Sequence, residues 1–189
     1  MCSVTRILSD VLHEPQLSLA ELCAARLDGE VYAVDECYSP IDRVEDAQTR
    51  AQALKAIVDD RAIAERDSAL WIYGIRLDPP ARHTLCVPRE HRATVAGSRR
   101  FVVRETRLRS GDTRRVGGLL VTTPLRTAFD LVRETTFDTA DRDAVVALFA
   151  RFDVDVAACR HAVQAIANLP GRRAALERLD TLAGQPALT

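Results

Sequence analysis

Over residues 17–27 apolar side chains recur at i, i+3, i+5 and i+8, a helical spacing, and Ser18 with Glu21 predicts a capping box at the helix start. Residues 4–12 alternate more loosely in the same helical sense. Asp28 and Gly29 break the pattern, and the run 30–34 (Glu, Val, Tyr, Ala, Val) reads as a short strand. Helix, turn and strand in that order predict the tail of a small winged-helix-like unit over 1–45, closed by Pro40.

From 46 to about 64 an Ala-rich run laced with Arg and Asp predicts a longer helix that bridges to the rest of the chain. Another helix, 66–73, stops at Gly74, a residue suited to a left-handed cap. Past Pro79 and Pro80 three runs read as strands, 84–87, 101–108 and 119–122, divided by turn residues at 96–98 and 110–112. Thr123 as N-cap and Pro124 at the first helical position open the next helix. The remainder reads as helices over 139–151, 155–167 and 171–183, broken at Asp153 and at Pro170-Gly171. The expected fold is α+β: the winged-helix-like unit 1–45, then a domain over 46–189. That domain would hold a small, mostly antiparallel sheet packed with helices, and a helical C-terminal region.

Composition adds little until it is resolved along the chain. The 189 residues are 47% hydrophobic and 28% charged, an ordinary globular balance, and no run approaches the roughly 18 apolar residues of a membrane span. The start, Met1-Cys2-Ser3, has no signal-peptide core, so a cytoplasmic protein with no membrane partner is expected. Cys2, Cys23, Cys37, Cys86 and Cys159 are odd in number and lack a Cys-x-x-Cys pair, which argues against a disulfide framework and a zinc knuckle. The net charge of −1 divides into −7 for 1–60, +8 for 61–126 and −2 for 127–189. A middle third this basic is a candidate surface for phosphate or for an acidic protein.

Residue patterns for catalysis are missing. There is no Gly-x-Gly-x-x-Gly, P-loop or His-Glu-x-x-His, and His13, His83, His91 and His161 lie far apart, so neither an enzyme nor a cofactor is expected. His83-x-x-Cys86 with His91 is the nearest approach to a metal set, but strand geometry sends residues three apart to opposite faces. Arg126 and Asp130, four apart on one helix, read as a structural ion pair. The feature that stands out is Arg99, Arg100, Arg104, Arg107, Arg109, Arg114 and Arg115, seven arginines within 17 residues around an expected hairpin. On a strand Arg107 and Arg109 share a face and Arg104 takes the other. Such a cluster can hold nucleic-acid phosphate or steer an acidic partner. Against it stand Glu105, Asp112 and the acidic N-terminal third, which could neutralise it as an ordinary solvated hairpin.

With these runs in view, the chain resembles the AbiEi family of type IV antitoxins. The resemblance lies in 29–33 (Gly-Glu-Val-Tyr-Ala), 67–75 (Asp-Ser-Ala-Leu-Trp-Ile-Tyr-Gly-Ile), 84–88 (Thr-Leu-Cys-Val-Pro) and, most specifically, 118–131. That last run carries Thr122-Thr123-Pro124 and Arg126-Thr127-Ala128-Phe129-Asp130-Leu131, similar to the family's signature of strand, capped helix, Arg and Asp. The resemblance implies a phage-defence antitoxin that neutralises a cognate AbiEii-type nucleotidyltransferase toxin, its protein partner. In the family the winged helix often also represses the operon, which makes operator DNA a second partner. The alternative is a DNA-binding repressor without direct toxin contact. The chain departs from the family in its short, acidic N-terminal part, without the arginine-rich wing, and in Glu65-Arg66 where Ser-His is frequent. Some relatives continue into a Vsr-like nuclease domain, and the chain stops at Thr189, where that domain would begin. A non-enzymatic antitoxin that meets its toxin through the seven arginines is the resulting expectation.

Overall fold

The computed structural model describes residues 11–14, 16–89 and 99–183. The expectations for 4–10, for His91 and for the turn at 96–98 lie outside the described residues. The described residues form seven helices and seven strands in two sheets, which is the expected α+β class. They divide into two compact units, one up to Asp60 with Val116–Leu119, the other Arg61–Arg115 with Leu120 onward.

In the first unit, helix α1 (Leu19–Leu27) carries the capping box: Ser18 accepts from the Glu21 amide and the Glu21 carboxylate accepts from the Ser18 amide. Strand β1 (Val31–Val34) then pairs antiparallel with β2 (Cys37–Pro40), a strand the sequence reading did not include. Leu12 bridges to Tyr38 through amide hydrogen bonds of 2.7 and 2.9 Å, and Leu12, Leu22 and Val31 pack as a small core. Helix α2 (Ala47–Ile57) starts at Asp46, whose carboxylate accepts from the Thr49 amide. The first compact unit runs to Asp60 and takes in α2, where Ala51, Ala53 and Leu54 are fully covered and the Cys37 thiol donates to the Ala53 carbonyl.

The expected helix to residue 64 ends at Ile57, because Ile63–Ala64 is drawn into a sheet as strand β3. Helix α3 (Arg66–Ile72) follows, ending at Gly74 with φ of 68°. Strands β4 (His83–Pro88), β5 (Phe101–Thr106), β6 (Thr113–Val116) and β7 (Leu119–Thr122) complete a five-stranded sheet in the order β5-β4-β3-β7-β6. Within it β3 pairs antiparallel with β4, while β3 with β7 and β4 with β5 are parallel. The sheet is therefore mixed rather than mostly antiparallel: twelve residues separate β4 from β5, enough for the crossover that parallel pairing requires.

Helix α4 (Pro124–Leu131) opens as its sequence predicts, with Thr123 accepting from the Arg126 amide and Pro124 in the first turn. Helices α5 (Thr139–Phe152), α6 (Val156–Gln164) and α7 (Arg172–Ala183) follow. Asp153 ends α5 in the left-handed conformation, φ 50°. The core of this unit includes Leu70, Trp71, Ile72, Leu85, Val121, Val145, Leu148, Val163 and Leu179. The Tyr73 hydroxyl ties α3 to β7 by donating to the Thr122 carbonyl at 2.6 Å.

Candidate functional site

The strand order decides what the arginine cluster becomes. Strands β5 and β6 occupy opposite edges of the sheet, four strand spacings or about 19 Å apart, so 101–115 forms no hairpin. Residues 107–112 instead carry the chain from one edge to the other. The seven arginines accordingly fall into four groups with different surroundings.

Arg99 is exposed, and Arg100 is half-buried, its guanidinium donating to the carbonyls of Pro80 and Ala81. Arg104 turns inward from β5. Its Nε and Nη2 donate to the two carboxylate oxygens of Glu65, each at 2.6 Å, and its Nη2 lies 3.3 Å from Asp130 Oδ1. Arg107 and Arg109 stand exposed on the crossing segment, and among the described residues neither side chain has a carboxylate partner. Arg114 and Arg115 are exposed on β6 at the far edge, with the Arg114 guanidinium 5.8 Å from the centre of the Tyr73 ring.

Beneath this surface lies a buried ion network that only partly shows in the sequence. Asp130, 2% exposed, is approached by Arg104, by Arg126 (Nε to Oδ2, 2.8 Å) and by Arg133 (Nη1 to Oδ1, 3.4 Å). Glu65, 1% exposed, is held by Arg104, and Arg66 reaches Glu134 at 3.1 Å. Asp112 closes on Arg126 Nη1. Four acids thus face four arginines, and the charges cancel where burial would penalise an excess of either sign. Burial works against the cationic forms of Arg104 and Arg126, but their carboxylate partners outweigh it and raise both pKa values. For Arg133 burial prevails, with Arg104 and Arg126 pulling the same way, and the pKa is lowered. Cys86, packed beside Glu65, has its thiol pKa pushed up by burial and by that carboxylate.

Arg126 joins the network to the surface. Its five N–H groups are all engaged: Nε on Asp130, Nη1 on Asp112 and on the Arg107 carbonyl (3.1 Å), and Nη2 on Thr106 Oγ1 and Asp130. The guanidinium also lies 5.2 Å from the centre of the Phe129 ring. The pair Arg126 and Asp130, legible in the sequence as a brace on one helix, therefore also holds the segment that bears Arg107 and Arg109. Glu65 is not legible in the sequence as a site residue: it stands immediately ahead of α3, and nothing in the pattern links it to Arg104, 39 residues further on.

Among the described residues no three His, Cys, Asp or Glu side chains gather as a metal site. His83 is fully buried, with Nδ1 3.0 Å from Ser68 Oγ and its ring 5.6 Å from that of Trp71. No helix of the described residues is long and apolar enough to cross a membrane.

Comparison with known proteins gives the arrangement a context. The chain is similar to the RV2827C protein from Mycobacterium tuberculosis, whose crystal structure matches with a TM-score of 0.50 at 16% identity. The match covers 89% of this chain and 66% of that one, and at such identity the likeness is one of fold. No curated protein matches the chain. Residues 62–183, the span that contains the five-stranded sheet, the ion network and helices α3 to α7, match the model of the AbiEi antitoxin C-terminal domain, and the chain belongs to that family.

Proposed function

We propose that this chain is an antitoxin, acting in the cytoplasm, that neutralises a nucleotidyltransferase toxin by direct contact. The match over 62–183 to an antitoxin domain carries the reading. The exposed arginines give it a physical form: Arg107 and Arg109 on the crossing segment and Arg114 and Arg115 on β6 offer positive charge held on a rigid sheet and helix scaffold. A nucleotidyltransferase holds its metal ions through carboxylates, so its metal-free cleft presents the complementary sign, and such pairing steers association and fixes register. Arg104 is left out of the contact surface because its guanidinium is committed to Glu65.

The test is relief of growth arrest in cells that co-express this chain with an AbiEii-type nucleotidyltransferase toxin. Replacing Arg107, Arg109, Arg114 and Arg115 together by Ser, with Arg104 retained, should abolish the rescue while the protein remains folded. Full rescue by that variant would overturn the mechanism, and no rescue by the unaltered chain would overturn the antitoxin reading itself.

A further inference from the structure

A small cleft opens beside the crossing segment, with carbon walls at Leu125, Phe129, Ala162 and Ile166 and with Arg109 also in its lining. Its volume is about 70 Å³, room for about five waters, which is the bulk of one flat heterocyclic ring. We propose that this cleft binds one unpaired nucleotide of a nucleic-acid strand, with the base in the apolar slot and its flanking phosphates on Arg107 and Arg109. The inference goes beyond the antitoxin reading and does not depend on it.

Three observations assign that occupant. The slot is walled by carbon and a base ring has apolar faces, so insertion takes both surfaces out of water. The guanidinium in the wall is saturated: every N–H of Arg126 has an acceptor within the chain, and none remains to draw an anion into the slot itself. The available positive charge stands outside it, on Arg107 and Arg109, both exposed and, among the described residues, without a carboxylate partner. A nucleotide joins these two chemistries in one residue, an uncharged ring and an anionic phosphate on the same sugar, and arginine forks match phosphate geometry.

Only an unpaired base can enter. In a duplex the ring faces stack on one another and the grooves present edges alone, whereas a single strand can splay a base out onto apolar and aromatic side chains. The segment that carries the two arginines is fixed before a strand arrives. The Asp112 carboxylate accepts from the Arg109 amide at 2.8 Å and from Arg126, the Asp112 carbonyl accepts from the Thr123 amide at 2.9 Å, and Arg126 donates to the Arg107 carbonyl. A segment pinned at both ends loses little freedom on binding, which favours affinity. Arg126 and Asp112 are thereby positioning residues, and Arg107 and Arg109 touch the strand. Arg114 and Arg115, on β6 at the far edge of the sheet, lie outside this site.

The experiment measures binding of the full chain, by fluorescence anisotropy over a range of salt, to labelled oligo(U), to oligo(dT) and to a blunt duplex of the same length. Backbone charge alone favours the duplex, whose charge density is higher. A single strand bound about tenfold more tightly than the duplex therefore reports a base in the cleft. Ala162→Trp fills the slot and should erase that preference while duplex binding stays within about twofold. Arg107→Ser with Arg109→Ser should weaken single-strand binding about tenfold and flatten its salt dependence. If the Ala162→Trp protein does not fold, Ile166→Glu, just past the end of α6, replaces it. Oligo(U) favoured over oligo(dT) assigns the strand as RNA and the reverse order as DNA; either order, or equal affinity for both, supports the site. Equal binding of single strand and duplex, a preference that survives in the cleft variant, or no binding by the unaltered chain overturns the proposal. None of these outcomes touches the antitoxin reading, which relief of growth arrest tests separately.

Discussion

Arg104 on β5 grips Glu65, the residue that follows β3, through two parallel hydrogen bonds, Nε to Oε1 and Nη2 to Oε2, each 2.6 Å, across the intervening strand β4. Glu65 is 1% exposed, so removing the guanidinium leaves a charge with little access to water. Arg104→Ala should therefore cost about 3–5 kcal/mol in urea unfolding, whereas the double variant Arg104→Met with Glu65→Leu should recover most of that loss. A single variant as stable as wild type would show that the pair contributes nothing to the fold.

Arg126→Lys tests the fork geometry rather than the charge. A lysine ammonium has three donors on one atom and cannot reach the five acceptors that the guanidinium engages, so Asp112, Asp130, Thr106 Oγ1 and the Arg107 carbonyl would be incompletely served. The expected cost is about 2–3 kcal/mol, one or two buried acceptors left unpaired. Amide exchange of Arg109, whose N–H rests on Asp112, should quicken in step. Unchanged exchange at that amide would separate Arg126 from the placement of the crossing segment.

What the sequence conveys well is local. Ser18 with Glu21, Thr123 with Pro124, and Gly74 at the end of α3 all act through neighbours within four residues, and the structure has each as the pattern predicts. What it conveys poorly depends on distant partners. Ile63–Ala64 sits in a helix-like Ala-rich stretch, yet β4 and β7 flank it on both sides and make it the centre of the sheet. Strand β6, Thr-Arg-Arg-Val, looks polar, though Gly117 and Gly118, both with positive φ, form the two-residue turn that marks a hairpin with β7 and could have revealed it. Without β3 and β6 the strand order was illegible, and with it the fact that arginines close in sequence stand at opposite edges.

The buried thiols set an alkaline limit to stability. Burial, with Asp35 and Glu36 nearby, pushes the Cys37 pKa from 9.0 to about 11, burial and Asp130 raise Cys159 to about 12, and burial and Glu65 raise Cys86 further still. Each thiol stays protonated in the folded chain while it ionises in the unfolded one. Stability is then full below pH 9 and falls as pH rises toward 11, by about 1.4 kcal/mol per unit for each thiol. Urea midpoints should drop steeply over that window, and Cys37→Ala should reduce the slope by about a third. A flat profile from pH 8 to 11 would contradict the burial of these groups.

Two left-handed positions in the C-terminal helices should respond with opposite sign. Asp153 holds φ of 50° at the end of α5, exposed and with a side chain that disfavours this conformation, so Asp153→Gly should stabilise by about 0.5 kcal/mol once the added freedom of the unfolded chain is offset. Gly171, before α7, has φ of 75°, and a Cβ there would stand 2.8 Å from the Arg133 carbonyl oxygen. That oxygen cannot retreat freely, because the Arg133 side chain bonds both the Pro170 carbonyl at 3.1 Å and Asp130 at 3.4 Å. Gly171→Ala should therefore cost about 1–3 kcal/mol, lowering the melting temperature by about 2–4 °C for each kcal/mol in a chain of this size. Melting at the wild-type temperature would mean that the loop can shift without disturbing Arg133, and so that the ion network around Asp130 is not anchored from the α7 side.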